Sequence, residues 1–398
     1  MIERDWVVVG ATPRTMIELG FQSVGKDFPV FLHPLTNEEY ALARTERKTA
    51  PGYRGFDVHS TPDVTLEQDL LRRDLTINAI AQDREGKLVD PHGGQADIEK
   101  RALRHVSAAF AEDPVRILRV ARFAARFAPL GFKVANKTME LMRVMVNTGE
   151  VDALVAERVW AELHRALLTE MPTRFIETLR ECGALARIFP EIDALFGVPQ
   201  PEHYHPEIDS GIHTLMVLEQ AARLSDDARV RYAALAHDLG KALTPENELP
   251  KHIGHEKTGL EPIRKMGARL RAPKDFTSLA LKVCRSHLKM HRLQELKPGT
   301  VLKLLEELDA FRNPNIIDRF SLACEADARG RKDRSEIDYP SGDLLYKYFS
   351  AAKTVDISDV VLETSDGAVI GARLRERRLQ AISEVKKIDR HKGAPPTT

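Results

Sequence analysis

Hydrophobic and polar positions follow two different periods along the chain. In the first hundred residues, short apolar runs alternate with turns, which predicts β-strands at 6–9, 29–32 and 39–44. Thr65-Leu66-Glu67-Gln68 has the pattern of a helix capping box and predicts a helix that carries residues 69–81. This part of the chain is therefore predicted to be a small mixed α/β head.

From about residue 112 onward the period is helical, almost without strand signals. Helices are predicted at 135–148, 156–170 and 173–184, and a further helical block at 205–330. The fold class is therefore α+β. We predict four domains, with these boundaries: a head at 1–108, a helical neck and body at 109–200, an all-α domain at 205–332 and a helical tail at 333–398.

Composition restricts the class of protein. The chain has 59 Lys+Arg and 59 Asp+Glu, which excludes a protein that is basic overall and held to nucleic acid by bulk charge. Its three cysteines lie far apart, as expected for reduced thiols rather than disulfides. No apolar run approaches the roughly 18 residues of a membrane span. The sequence thus predicts a cytoplasmic enzyme that does not bind a membrane.

Glu3 and Asp5 are separated by one residue, so on a strand both carboxylates would point to the same face. Such a pair can share divalent metal ions that activate a hydroxyl nucleophile. The pair alone is more typical of two solvated charges near a chain terminus.

Four arginines between residues 112 and 126 have helical spacing. At about 100° per residue, Arg116, Arg119, Arg122 and Arg126 fall on one third of a helix. Guanidinium groups in a row repel each other unless they meet phosphates, carboxylates or base edges. The alternative interpretation is a solvated basic face.

Four motifs in order resemble those of class II tRNA nucleotidyltransferases, the CCA-adding enzymes related to bacterial poly(A) polymerases. They are Glu3-Arg4-Asp5-Trp6, Glu39-Tyr40-Ala41-Leu42-Ala43-Arg44-Thr45-Glu46, Arg72-Arg73-Asp74-Leu75-Thr76-Ile77-Asn78-Ala79 and Glu112-Asp113-Pro114-Val115-Arg116. The resemblance covers nearly the whole chain and extends to the bacterial multifunctional form with a C-terminal HD domain.

This resemblance implies roles for individual residues. Asp5 and Glu3 would bind Mg²⁺, with Glu3 where the family has Asp, and Glu39 would be an extra acid nearby. Arg73 would contact ribose and phosphate. A protein template that hydrogen-bonds the base edges of CTP and ATP would consist of Glu112, Asp113 and Arg116. Further nucleotide contacts would come from Arg119 and Arg122. The head would have the polymerase-β-like fold. The family has a strand and a Gly-Gly-x-Val-Arg-Asp turn before the carboxylates, so the resemblance also predicts a truncated head with impaired transferase activity.

Histidines and aspartates in the helical block form a second set. His237 and Asp238 end an apolar helical run, His213 lies on an upstream helix, and His255, His287 and Asp327 follow. A His-Asp pair alone is more typical of a helix cap or a surface. The order His, His-Asp, Asp resembles the HD phosphohydrolases, which implies that His213, His237, Asp238 and Asp327 bind a metal. His255 and His287 would bind a second metal or phosphate. Mixed imidazole and carboxylate ligands suit a transition metal such as Ni²⁺. We assign His203, His205 and His291 to surface or satisfied positions.

The activity implied is addition of the 3′-terminal CCA to tRNA, with 2′,3′-cyclic phosphodiesterase, 2′-nucleotidase and phosphatase activities in the HD domain. The expected partners are tRNA, CTP and ATP, and the protein would be a monomer or homodimer. Eight Lys and Arg between residues 373 and 392 could contact tRNA or simply form a solvated helix. Two alternatives remain: a phosphohydrolase with an inactive head, and a non-catalytic RNA-binding protein. A poly(A) polymerase is disfavoured, because those chains generally lack the HD block.

Overall fold

A computed structural model describes residues 4–24, 29–48, 56–203 and 206–392 of the chain. The chain divides into two compact units. The first comprises Met1–Ala166 and Arg174–Ile188, and the second comprises Leu167–Thr173 and Phe189–Thr398. Every described strand lies in the first unit, whereas the second is helical. The predicted α+β class is therefore confirmed.

A four-stranded sheet begins the first unit. Its order is β1 (Trp6–Val8), β4 (Glu39–Leu42), β3 (Val30–Leu32) and β2 (Gln22–Ser23), with β1 parallel to β4 and the other pairs antiparallel. The three strands predicted from alternation are confirmed. Met16, Phe31 and Leu42 are buried together beside this sheet.

Three two-stranded pairs complete the strands that the structure describes in this unit. They are β5 (Thr45–Lys48) with β6 (Phe56–His59), β7 (Ala81–Gln82) with β8 (Leu88–Val89), and β9 (Ala102–Leu103) with β10 (Lys133–Val134). The last pair is parallel and the others are antiparallel.

The helices of the first unit follow the predicted periods except at one place. They are α1 (Pro13–Glu18), α2 (Leu66–Leu71), α3 (Gly94–Glu99), α4 (Val115–Phe127), α5 (Asn136–Asn147), α6 (Ala156–Leu167), α7 (Thr173–Glu181) and α8 (Ala184–Ile188). Short 3₁₀ turns lie at Thr76–Asn78, Ala108–Glu112, Ala128–Leu130 and Glu150–Ala153.

The exception is α2, which was predicted to continue to residue 81. Its capping box is present, since Thr65 Oγ1 accepts from the Gln68 amide and Gln68 Oε1 accepts from the Thr65 amide. The helix nevertheless ends at Leu71. Downstream, the Thr76 amide donates to Arg104 O and the Val106 amide donates to Asp74 O. A non-local segment therefore takes the backbone groups that helix continuation would need, so the prediction of the helix end was wrong.

The second unit consists of helices α9 (Pro190–Asp193), α10 (Ser210–Leu224), α11 (Ala228–Ala236), α12 (His255–Thr258), α13 (Leu260–Arg269), α14 (Lys274–His291), α15 (Pro298–Glu307), α16 (Ile316–Arg329), α17 (Ser341–Lys353), α18 (Ser358–Glu363) and α19 (Gly367–Lys392). Short 3₁₀ turns lie at Leu239–Leu243, Glu246–Glu248 and Leu293–Glu295.

Helix α11 is at the centre of this unit, and all its residues except the half-buried Arg229 are buried. Small side chains on α11 and its neighbours allow close packing: one buried cluster comprises Ala234 of α11, Val217 and Ala221 of α10, and Ala326 of α16. Close packing brings α10, α11 and α16 near one another. Buried polar side chains lie where these three helices meet.

No helix among the described residues is long and apolar enough to cross a membrane. The three cysteines are free and buried, as predicted from their spacing. Burial raises the pKa of Cys182 to about 11 and that of Cys284 to about 12, so both thiols are protonated and unreactive at neutral pH.

Candidate functional site

Six buried side chains of the second unit form two adjacent triads. His213, His237 and Asp327 make one, and Asp238, His255 and His287 make the other. Within each triad, one potential ligand atom from every residue lies within 4.8 Å of the others. The chain thus brings together all six residues predicted from the order of His and Asp. Together these six residues are called the His-Asp centre below.

Asp238 lies between the two triads. Its Oδ2 is 3.1 Å from His237 Nε2 and 3.7 Å from His213 Nε2. Its Oδ1 is 3.3 Å from His255 Nε2 and 3.8 Å from His287 Nε2. One carboxylate can therefore serve both sides, which suits a centre with one or two cations.

The four histidines share one orientation. Each Nδ1 is in hydrogen-bond reach of a backbone carbonyl: His237 with Ala234, His255 with His252, His287 with Cys284, and His213 with Gly330, at 2.7, 2.7, 2.9 and 3.1 Å. A carbonyl can only accept, so Nδ1 carries the proton and, in the neutral ring, Nε2 carries the lone pair. Once all four rings are neutral, their Nε2 lone pairs point into the centre, as metal ligation requires.

Two atoms of the centre are buried without a hydrogen-bond partner among the described residues, namely His237 Nε2 and Asp238 Oδ1. In addition, His255 Nε2 and His287 Nε2 lie 3.2 Å apart, so two lone pairs face each other. Orphaned buried polar atoms are costly, and a divalent cation would satisfy them. The donor set of imidazoles and carboxylates fits such a cation.

The carboxylates dominate the electrostatics of the centre. Burial alone would lower the pKa of His237, but Asp238 and Asp327 outweigh burial and raise it to about 10. Burial would likewise raise the pKa of Asp238, but His237 and Lys241 hold it well below its usual range. In contrast, burial lowers the pKa of His287 to about 3. The centre therefore holds ionised carboxylates that attract positive charge.

Glycines allow the backbone segments of the centre to approach one another. A Cβ on Gly240 would lie 2.2 Å from His255 O, and a Cβ on Gly330 would lie 2.6 Å from Val217 Cα. The first approach holds α12, and with it His255, against the turn that follows Asp238. The second holds the end of α16 against α10, beside Asp327 and His213.

In the first unit, charged residues of the sequence motifs form ion pairs with one another and with neighbouring residues. Asp69 is buried and accepts from Arg72 Nη2 at 2.6 Å and from Arg73 Nη2 at 2.9 Å. Burial would raise the pKa of Asp69, but the two arginines lower it. Arg73 is therefore oriented by an acid that sequence reasoning missed, although the i, i+4 spacing of the pair was a signal that could have found it.

Three arginines of α4 have partners inside the unit. Arg116 donates from Nη1 to Ala109 O at 2.9 Å and from Nη2 to Arg72 O at 2.6 Å. Arg119 Nε donates to Asp74 Oδ2 at 2.6 Å, and Arg122 Nε donates to Glu162 Oε2 at 2.5 Å. Arg116 and Arg122 are buried. The interpretation of these three positions as a solvated basic face is therefore wrong. The arginines contact carboxylates and carbonyls, which offset the repulsion between their charges.

The acids that precede α4 differ in their contacts. Asp113 accepts two hydrogen bonds from Arg158, at 3.2 and 2.8 Å, and one from the Val115 amide. Glu112 ends the preceding 3₁₀ turn and is half-buried. An acceptor and donor pair, Asp113 with Arg158, therefore lies at the start of α4.

The predicted metal-binding acids of the head lie at the beginning of the chain. Asp5 is exposed and comes immediately before β1, which begins at Trp6 as predicted. Glu3 lies outside the described residues. The parallel register Trp6↔Tyr40 puts Asp5 and Glu39 at the same end of the sheet.

Three protein families match successive parts of the chain. The Poly A polymerase head domain matches residues 16–104, the probable RNA and SrmB-binding site of polymerase A matches 131–196, and the HD domain matches 211–314. The Multifunctional CCA protein of Thioalkalivibrio sulfidiphilus is 61% identical over 384 residues, which cover 96% of this chain and 94% of that protein. The chain belongs to the multifunctional CCA protein family. The member from Methylococcus capsulatus is 59% identical over 385 residues, covering 96% and 91% of the two chains.

Solved structures of CCA-adding enzymes share the fold of this family member. A complex of a CCA-adding enzyme with ATP has a TM-score of 0.62 at 17% identity and covers 100% of this chain and 87% of that one. The Thermotoga maritima CCA-adding enzyme complexed with tRNA has a TM-score of 0.59 at 18% identity, covering 96% and 85%. The predicted resemblance is confirmed: this family member is a nucleotidyltransferase with an HD phosphohydrolase domain, and its two domains imply dependence on divalent metal ions.

Sequence reasoning missed several contacts around the His-Asp centre. His291 Nε2 contacts Asp327 Oδ2 at 2.7 Å, and its Nδ1 contacts Tyr339 Oη at 3.1 Å. Both ring nitrogens are satisfied, as assigned, but the contact with Asp327 was not predicted, although the i+4 spacing of His291 from His287 on α14 was an available signal. His203 is exposed as assigned, and His205 lies outside the described residues.

A buried lysine also contacts the centre of this family member. Lys241 Nζ lies 2.6 Å from Asp238 Oδ2 and donates to Gln200 Oε1 at 2.5 Å. It comes three residues after Asp238 in the turn Leu239–Leu243, so its cation neutralises the same carboxylate that lies between the triads. Only its spacing from Asp238 could have marked it in the sequence.

The basic tail uses part of its charge for packing. Lys386 is buried and donates to the carbonyls of Gln294 and Leu296, and Arg378 lies 3.7 Å from the centroid of the Phe311 ring. Arg375 contacts Glu306 at 3.2 Å. Neither sequence interpretation, a tRNA contact or a solvated helix, anticipated these packing interactions.

Proposed function

We propose that this protein adds the 3′-terminal CCA to tRNA with CTP and ATP and without a nucleic-acid template, and that its HD domain hydrolyses phosphate esters. The observation that supports the first activity is the 61% identity to a Multifunctional CCA protein across almost the whole of both chains. The observation that supports the second is the pair of adjacent triads, in which Asp238 of one triad also lies 3.1 Å from His237 of the other. A tRNA substrate implies the cytoplasm as the site of action.

In the head, we assign Mg²⁺ to Glu3 and Asp5, with Glu39 as a further acid at the same end of the sheet. Mg²⁺, when bound, would neutralise the triphosphate and activate the 3′ hydroxyl of the RNA. Arg73, held by Asp69, would contact ribose and phosphate.

Base selection would use the start of α4. Glu112 and Asp113 offer acceptors, and Arg116 offers donors, as pairing with cytosine or adenine edges requires. Asp113 contacts Arg158, and Arg116 contacts two carbonyls, so an incoming base would replace one of these partners. Arg119 and Arg122, fixed by Asp74 and Glu162, would complete the nucleotide-binding face.

In the HD domain, His213, His237, Asp238 and Asp327 would hold a divalent transition metal, with Ni²⁺ as our choice, and His255 and His287 would hold a second ion or the phosphate. The ion supplies the Lewis acid for hydrolysis. Asp238 and Asp327 provide the negative charge that holds it, and the carbonyl-bound Nδ1 atoms keep the imidazoles facing it. A 2′,3′-cyclic phosphate, a 2′-nucleotide and a phosphate monoester are the proposed substrates.

The activities can be tested on purified protein. With tRNA lacking its 3′ end, Mg²⁺, CTP and ATP, we expect extension by CCA, and omission of ATP should stop the product after two cytidines. No extension together with metal-stimulated hydrolysis of a 2′,3′-cyclic nucleotide would select a phosphohydrolase with an inactive head.

The metal assignment needs a separate experiment. Protein treated with a chelator should lose hydrolysis of 2′,3′-cyclic AMP, and re-addition of Ni²⁺ should restore it better than Mg²⁺ does. Restoration by Mg²⁺ alone would contradict the choice of a transition metal.

A further inference from the structure

A basic cavity lies in the first unit, apart from the ion pairs of the nucleotide-binding face. It has a volume of about 570 Å³ and is formed by the pair β9–β10 and the start of α5. Five of its lining residues are cationic and none is acidic: Lys100, Arg101, Arg104, Lys133 and Lys137. We call the cavity lined by these five residues the basic cavity.

Four of the five cations have no counter-charge among the described residues. Arg104 pairs with Asp97 at 3.0 Å. The side chains of the other four make no ion pair or hydrogen bond in the part of the chain that the structure describes. The positive field is felt nearby: burial lowers the pKa of His105, and Arg104 and Lys137 lower it further. Like charges gathered without partners favour an anionic ligand.

The backbone of the basic cavity holds Arg101 in position. Arg101 has a φ of 53°, a left-handed conformation that costs a non-glycine residue of the order of 1 kcal/mol. Its Nη1 lies 3.1 Å from the place where a Cβ on Gly131 would be, so the guanidinium lies directly over that glycine. The start of α5, which has neither a side-chain cap nor an acid in its first turn, adds partial positive charge to the same wall.

We propose that the basic cavity binds phosphodiester groups of the tRNA backbone, an inference that rests on the proposed tRNA substrate. None of the described residues that line the cavity is aromatic, so a base has no ring among them on which to stack. Several separate cations without a carboxylate instead match consecutive phosphates, whose recognition depends on charge and shape rather than on sequence. The match to an RNA-binding family begins at residue 131, within this cavity.

The test removes two cations of the basic cavity, Lys133→Ala with Lys137→Ala, and measures tRNA binding and extension. We expect the Kd and KM for tRNA to rise about tenfold, with kcat and the KM for CTP unchanged. The slope of log K against log salt concentration should decrease in magnitude by about two, roughly one for each phosphate that the variant no longer neutralises. The matched control is Arg84→Ala with Lys87→Ala, two exposed cations near the β7–β8 turn of the same unit, which should leave all these values unchanged.

Equal Kd values and salt slopes for the double variant and its control would overturn the inference. A higher KM for CTP with unchanged tRNA binding would also overturn it, because the cavity would then hold a free nucleotide. A third outcome would overturn the proposed CCA addition alone. In that outcome the wild type binds tRNA with the expected salt slope and the double variant has a smaller slope, but the wild type does not extend tRNA.

Discussion

At the scale of single residues, the His-Asp centre depends on how each side chain is oriented. The four Nδ1 atoms donate to carbonyls, and His291 contacts Asp327 at 2.7 Å. Partners that orient metal ligands commonly change metal affinity or activity 10–100-fold when removed.

His291→Phe tests this orientation. Phenylalanine has a similar shape but cannot hydrogen-bond Asp327, so we expect hydrolysis of 2′,3′-cyclic AMP to fall about 10–100-fold and the affinity for Ni²⁺ to fall with it. CCA extension should be unchanged. The exposed His203→Phe is the control, and a decrease as small as that of the control would contradict the role of His291.

The order of His and Asp, through its resemblance to the HD phosphohydrolases, was sufficient to select the six residues that the structure brings together. It was not sufficient to predict His291, Lys241 and Asp69, because their roles come from a spatial contact rather than from a motif. Lys241, for example, is identified only when its Nζ is seen 2.6 Å from Asp238.

Arg73→Ala tests the head at the same scale. Arg72 still pairs with the buried Asp69 in this variant, so the free energy of unfolding should change by less than about 1 kcal/mol. The KM for CTP and ATP should rise about tenfold, since one charge-assisted hydrogen bond to the nucleotide is removed. Steady-state extension kinetics measure this, with Arg84→Ala as the control. An unchanged KM would contradict the proposal that Arg73 contacts the nucleotide.

At the scale of elements, glycines and caps position the site. Period and capping patterns predicted three of the four strands of the sheet and the helices α5 to α7, because these signals are local, but they missed the two-residue strand β2. They failed at the end of α2, where residues 74–76 bond to the non-local segment 104–106. They also gave no information on Gly240, whose importance depends on the approach of another helix.

Gly240→Ala should damage the HD domain selectively. The new Cβ would lie 2.2 Å from His255 O and push α12 away from Asp238. We expect a loss of about 1–3 kcal/mol in unfolding free energy and a large decrease in hydrolysis. Gly371→Ala in α19, where a Cβ meets nothing within 4 Å, should instead be neutral or slightly stabilising. Urea unfolding and the hydrolysis assay compare them, and equal effects would contradict the packing argument.

Asp227 links α11 to α16 through charge. It caps α11 and pairs with Arg229 at 2.7 Å and Arg319 at 2.9 Å. Burial alone would raise its pKa, but hydrogen bonds from the two arginines lower the pKa to about 2. Because the folded-state pKa is depressed, the stabilisation is present above the unfolded value of 3.8 and is lost as the pH falls through about 2.

Asp227→Asn keeps a capping side chain but removes this charge. We expect the variant to be less stable than wild type at about pH 5, with the difference in urea midpoint decreasing steadily toward about pH 2. A difference that is independent of pH would show that the ion pairs do not contribute.

At the scale of the whole molecule, the neutral net charge is an average over unlike regions. The basic cavity has five cations and no acid, whereas the His-Asp centre has buried carboxylates. Composition alone could exclude a protein that is basic overall, but it could not locate a local basic surface, because the location depends on how β9, β10 and α5 meet.

The central claim is that one chain carries two chemically separate sites. The most direct test assays CCA extension and 2′,3′-cyclic AMP hydrolysis on the same preparations of wild type, Asp5→Ala and Asp238→Ala. We predict that Asp5→Ala loses extension and keeps hydrolysis, and that Asp238→Ala loses hydrolysis and keeps extension. Loss of both activities in either folded variant would contradict the two-site account.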